Sequence, residues 1–212
     1  MSPTLLAAMM VSAIAAIPDG SLLVLRNSNK PVAAATGSEI THVAVLFNHS
    51  DTEWVYEATP AKVRRLRLTE YQRELGELNR DRTRPVRVSV LEPKTPYSKL
   101  QIARMHNHAA SQIGRRYSVK GYVRGKEFDG IHCAHFAAAT LAASDRFKFE
   151  QACAISPAEL IRTIGPLHKP PASLVIKTSE TDASWCERSW ATWFDYGAWC
   201  RWACYETWTF CW

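Results

Sequence analysis

The chain has 212 residues, of which 47% are hydrophobic and 22% charged. That balance excludes a disordered chain, and the length suits one core of ordinary size plus a tail. The formal charge is +6; residues 172–212 hold three Lys/Arg against five Asp/Glu, so the first 171 residues carry +8. No aromatic–basic motif accompanies that charge, which argues against a nucleic-acid partner.

In chain order, Leu5 to Ile17 is a short apolar run with Ala13-Ile14-Ala15 as a small-x-small cleavage site. It reads as a signal peptide lacking a basic start, or as an N-terminal helix, and it is too short to span a bilayer comfortably. Residues 1–17 are therefore set apart from a domain expected over 18–168. Ile40 to Phe47 is apolar and β-branched and reads as a buried strand with His42 near its start. Asn48 to Thr52 reads as a hairpin loop, and Glu53 to Ala58 as the next strand. Antiparallel pairing about that loop would bring His42 and Glu57 to the same end of the ladder.

Lys62 to Arg87 carries nine Lys/Arg with Glu70, Glu74, Glu77 and Asp81 among them. Leu68, Tyr71, Leu75 and Leu78 are spaced for an amphipathic helix with a charged outer face. That face is either simply solvated or drawn to anionic headgroups or a polyanionic wall. Val86 to Leu91 alternates as a strand does. Pro96 to Ile113 reads as a helix with Leu100, Ala103, Ala110 and Ile113 inward, and with His106 and His108 as surface or packing residues.

Asp129-Gly130 then announces a turn, followed by Ile131-His132-Cys133 and the run Ala134 to Leu141. This reads as a loop into a buried helix with Cys133 in its first turn. A thiol there meets the positive end of the helix dipole and is biased towards thiolate, the form that attacks carbonyls. The plainer reading of Cys133 is a small buried hydrophobe. His132, Cys133 and His135 lack the second ligand pair of a zinc site, so no metal and no cofactor is expected. His168-Lys169-Pro170-Pro171 reads as a linker. Beyond it, residues 184–212 hold seven of the eight Trp and four of the six Cys, including Trp190, Trp193, Cys200 and Cys204. Three readings stand for that tail: an interfacial membrane anchor, a disulfide-bonded segment, or a poorly ordered one.

His42, Glu57 and Cys133 together have the composition of a Cys-His-acid triad, in which the acid orients the imidazole. Their order along the chain is circularly permuted relative to papain. Several phrases resemble the permuted branch of the NlpC-like papain-fold superfamily, in particular the YiiX-like hydrolases. They are Pro18-Asp19-Gly20-Ser21 with its following apolar strand, Thr41-His42-Val43-Ala44-Val45, Val55-Tyr56-Glu57-Ala58, Gly114-Arg115-Arg116-Tyr117, His132-Cys133-Ala134-His135 and Ser156-Pro157-Ala158-Glu159-Leu160. The resemblance covers roughly residues 17 to 168. It departs from the family at Ser21, His132 and Ala134-His135, which puts substrate choice and oxyanion geometry in doubt.

What the resemblance implies is an α+β, circularly permuted papain-like fold, with an antiparallel sheet packed against helices that include the nucleophile helix. It implies a cysteine hydrolase or acyltransferase using Cys133, His42 and Glu57 on an amide, ester or thioester. Peptide or acyl-lipid substrates and a cell-envelope or secreted location accompany it, with a cytoplasmic location as the alternative. His132 and Tyr117 are the additional candidates for oxyanion or substrate contact. The rival functions are an inactive peptide- or lipid-binding module on the same fold, or a membrane-surface adaptor acting through the Trp-rich tail.

Overall fold

The computed structural model describes residues 16–80 and 82–176. The readings placed on residues 1–15 and on the Trp- and Cys-rich tail lie outside them.

The apolar runs in the first half of the chain become the centre of a sheet. Strands β1 (Ser21–Arg26), β2 (Ile40–His49), β3 (Thr52–Ala58), β4 (Val63–Arg67), β5 (Arg87–Leu91) and β6 (Ala172–Leu174) form one six-stranded sheet in the order β4-β3-β2-β1-β5-β6. Every pairing is antiparallel. β1 and β2 are continuous rather than alternating in hydrophobicity because both faces of the sheet are covered. Leu22, Val24, Val43, Val45 and Phe47 face one core, while Leu23, Leu25, Ala44 and Leu46 face the other.

Helices α3 (Lys99–Ser111), α5 (Cys133–Ala142) and α6 (Pro157–Ile164) cover the first face through Met105, Ala109, Ala134, Ala137, Leu141, Leu160 and Ile164. Helix α2 (Leu68–Asn79) covers the second through Leu68, Tyr71 and Leu75. Two short helices, α1 (Lys30–Thr36) and α4 (Lys120–Arg124), lie in the connections. The expected α+β architecture, an antiparallel sheet packed on helices that include the one beginning at Cys133, is the one observed.

Local chemistry explains the element ends. Ser50 and Asp51 both have positive φ, so the β2–β3 loop is two residues long, and Asn48, His49 and Thr52 belong to the strands. Ser98 and Gln101 form a reciprocal cap at the start of α3, and Ser156 and Glu159 do the same at α6, where Pro157 takes the first helical position.

Four sequence readings need correction. Helix α3 turns a different face inward: Met105 and Ala109 are buried, while Leu100 and Ile113 are 61% and 46% exposed. Leu78 likewise lies on the open side of α2. Part of the basic segment is strand β4, whose arginines alternate between the two faces of the sheet rather than decorating a helix. Three of the nine basic residues there are paired with carboxylates: Arg64 holds Glu57 and Glu74, Arg73 holds Glu77, and Arg87 holds Glu39.

The fourth correction concerns the linker. His168 is buried, its Nδ1 donates to the Ile164 carbonyl, and it bridges Pro93. Lys169 N–H donates to the Glu92 carbonyl, and β6 then pairs with β5. The folded unit therefore runs past residue 168 to at least Leu174.

Candidate active site

The site forms where the sheet comes apart. The β2–β3 ladder runs from His49↔Thr52 only as far as Val45↔Tyr56. Beyond that point β2 keeps its pairing with β1, where His42 lies opposite Leu25. β3 keeps its pairing with β4, where Glu57 lies opposite Arg64. In the opening between the two strands His42 Nε2 donates to Glu57 Oε2 at 2.7 Å. Glu57 Oε1 accepts from Arg64 Nε at 2.8 Å. Both carboxylate oxygens of a buried side chain are thereby satisfied by charge-assisted bonds.

Cys133 arrives at this opening from the other side of the sheet. It is the first residue of α5 and is 3% exposed. Its thiol is close enough to the His42 imidazole for each group to shift the other's titration. Since Nε2 of His42 serves Glu57, Nδ1 is the ring nitrogen left for the thiol. The helix is Ala-rich, a composition with high helix propensity and little side-chain bulk, which lets it lie close against β2 and β3. A clip between two loops sets its height: Ile131 N–H donates to the Arg116 carbonyl at 2.9 Å, and Ser118 N–H to the Ile131 carbonyl at 3.4 Å. Gly130 lies so close to Ser118 that a β-carbon on it would sit 2.2 Å from Ser118 Cβ.

Electrostatics follow from this packing. Burial raises the Cys133 thiol, but the His42 imidazolium, with His132 adding to it, outweighs that and brings the thiol down to about 6. Burial likewise disfavours a charged His42, and the Cys133 thiolate together with Glu57 overcomes it, lifting the imidazolium to about 10. Glu57 is pushed up by burial and pulled down further by His42 and Arg64, so it stays ionised. The pair exists as thiolate and imidazolium between those two apparent values.

The remaining candidates fall differently. His132 caps α5: its Nδ1 accepts from His135 N–H, and its Nε2 donates to the Cys153 carbonyl at 2.9 Å. The same ring lies beside the Cys133 thiol, which it helps to lower, and it holds the helix start. Tyr117 is buried in the cluster that contains Cys133. The backbone N–H of Cys133 opens the helix and has no intrahelical acceptor, which leaves it available to a carbonyl oxygen. His106 packs on β3, with Tyr56 Oη 2.9 Å from its Nε2. Arg64, Glu74 and Tyr71 border the site and carried no recognisable motif. Arg64 was legible only as one basic residue among many.

Among the described residues no group of three or more His, Cys, Asp or Glu is arranged to hold a metal ion. None of their helices is long and apolar enough to cross a membrane. Two surface hollows, one beside Tyr97 and Arg146 and one beside Phe149 and Arg162, share no lining residue with the site.

No protein-family model matches the chain, and no curated protein matches it. Among solved structures it is similar to the crystal structure of the metalloprotein yiiX from Escherichia coli O157:H7. The two are 14% identical, the match covers 78% of this chain and 93% of that one, and the TM-score is 0.48.

Proposed function

We propose that this protein is a papain-like cysteine hydrolase or acyltransferase of the YiiX-like type, with Cys133 as nucleophile, His42 as general base and acid, and Glu57 as the orienting acid. The observation that carries the proposal is His42 held between a buried carboxylate and a thiol at a helix N-terminus.

The Cys133 thiolate attacks the substrate carbonyl carbon, and a C–S bond forms as the carbonyl π pair moves onto oxygen. The Cys133 backbone N–H donates to that oxygen. His42 gives its proton to the leaving amine, alcohol or thiol as the tetrahedral species collapses to a thioacyl-enzyme. A water, or an acceptor nucleophile in a transferase, then loses its proton to His42 and attacks the thioester. Cys133 leaves as thiolate and His42 is again the imidazolium. Glu57 keeps the ring oriented through both steps. We assign amide, ester or thioester carbonyls as the substrate class, with peptide or acyl-lipid substrates at the cell envelope as the setting.

The near-complete burial of Cys133 favours a second reading, an inactive binding module on the same fold. Iodoacetamide labelling decides between them, followed from pH 5 to 10 by peptide-level mass spectrometry in the parent and in His42→Ala. Cys153, also buried and free, is the internal reference. The enzyme reading expects Cys133 to label down to about pH 6 and to lose that reactivity with His42. A Cys133 that labels like an ordinary thiol of pKa about 8.5, whether or not His42 is present, refutes it.

A further inference from the structure

We propose that Arg64 is a positioning and charge-balancing residue of this site, which allows a buried carboxylate and a buried thiolate to be ionised together; the proposal rests on the triad reading above. An ionised Cys133, His42 and Glu57 sum to one net negative charge on a thiol and a carboxylate that are both buried. An unbalanced buried charge is removed by taking up a proton. Here the proton would go to the thiolate or to Glu57, and either loss disables the pair.

Arg64 supplies the missing positive charge from the neighbouring strand. Its Nε donates to Glu57 Oε1 at 2.8 Å, and its terminal Nη2 lies 2.7 Å from the same oxygen. The guanidinium is itself held in place from α2: Nη2 donates to Glu74 Oε2 at 2.6 Å and Nη1 to Glu74 Oε1 at 3.2 Å. Only a planar fork can serve two carboxylates at once in this manner. A chain of alternating charge therefore runs from Cys133 through His42, Glu57 and Arg64 to Glu74, and it ends where Arg64 and Glu74 reach solvent at 36% and 39% exposure.

Other titratable groups face the chain. Tyr71, on α2 one turn before Glu74, is fully buried; burial and Glu57 push its phenol well above its usual range, so it stays neutral. His132 also favours the thiolate from the helix start, while the lowering of Glu57 comes from His42 and Arg64. Register explains why the sequence chose β4 for this duty: Arg64 is the cross-strand partner of Glu57, so its side chain leaves the sheet on the same face.

The test reads the midpoint of Cys133 labelling against pH in the full chain. Arg64→Gln is expected to raise the midpoint by up to about half a unit, less than the shift of about one unit or more that a guanidinium causes in an acid directly beside it; that is up to about a threefold slower reaction near pH 6. Arg64→Lys keeps the charge and loses the fork, and is expected to restore most of the midpoint. Glu74→Gln, which removes a carboxylate and leaves the cation, is not expected to raise it.

Arg64→Gln leaves Glu57 buried with fewer partners and risks unfolding. The comparison is therefore repeated in a Glu57→Gln background, where neither residue is left charged and alone. There too, loss of Arg64 is expected to raise the midpoint. Unchanged midpoints in both backgrounds, beside a parent whose reactivity still depends on His42, overturn the role of Arg64 and leave the triad standing. A parent that labels as an ordinary thiol overturns both.

Discussion

Replacing Gly130 by Ala isolates the contact that seats the nucleophile. The backbone at Gly130 is not left-handed, so alanine meets no conformational penalty of its own. The obstacle is space: the new β-carbon would lie 2.2 Å from Ser118 Cβ, 3.0 Å from Ser118 N and 3.2 Å from Ser118 Cα. Two of those atoms are backbone and the third is fixed to it, so no rotamer change relieves the clash. The two segments must separate by about an ångström to restore van der Waals distance. That movement strains the Ile131–Arg116 and Ser118–Ile131 hydrogen bonds. Overpacking costs about 1–3 kcal/mol, and loss of each net hydrogen bond about 0.5–1.5 kcal/mol. The expected destabilisation is thus about 2–6 kcal/mol, read from the urea midpoint at constant slope. Cys133 begins its helix three residues later, so its labelling near pH 6 should fall with the displacement. A Gly130→Ala protein with parental stability and parental labelling would refute the claim that this contact sets the position of Cys133.

Three further outcomes are expected. Gly165 has helical φ and ψ and directly precedes Pro166, where a β-carbon is disfavoured in the helical region, so Gly165→Ala should be neutral or destabilising although no other described residue crowds the position, again by urea titration. The Tyr71 hydroxyl is buried with no partner among the described residues, so Tyr71→Phe should leave the melting temperature unchanged or raise it; a loss of several degrees would contradict this. The third concerns pH. His42 is raised, so its contribution to stability is full below its unfolded value of about 6.5 and is lost as pH rises through about 10. Cys133 is lowered, so its contribution is full above its unfolded value of about 8.5 and is lost as pH falls through about 6. The two slopes cancel from about pH 6.5 to 8.5, where native and unfolded pairs each hold one proton. Above about 8.5, stability should fall by roughly 1.4 kcal/mol per unit until about pH 10. Urea titrations in which His42→Ala keeps that same slope would contradict the assignment. Glu57 is lowered and adds a separate loss as pH falls below about 4.3.

Local signals carried much of this protein. Asp129-Gly130 before an Ala-rich run marked the start of α5, because a turn and a helix former act on neighbouring residues alone. The apolar runs through β1 and β2 marked buried strands for the same reason. What failed were judgements that depend on residues far away. Which side of α3 turns inward was settled by the sheet it meets, and its short sequence offered two plausible faces. His168 to Pro171 looked like a linker because Lys and Pro fill it, yet the edge strand that follows needs only one free side of β5.

The site itself divides along the same line. Residue types and their order along the chain named Cys133, His42 and Glu57, since thiol, imidazole and carboxylate are the groups such chemistry requires. Only the tertiary structure decided that the β2–β3 ladder stops at Val45↔Tyr56 and leaves a place where these three meet. It alone turned His132 into a helix cap and drew Arg64 out of a basic stretch to face Glu57. A one-residue shift in strand register would send that arginine to the opposite face of the sheet. Register follows from the packing of both cores, which no local stretch of sequence contains.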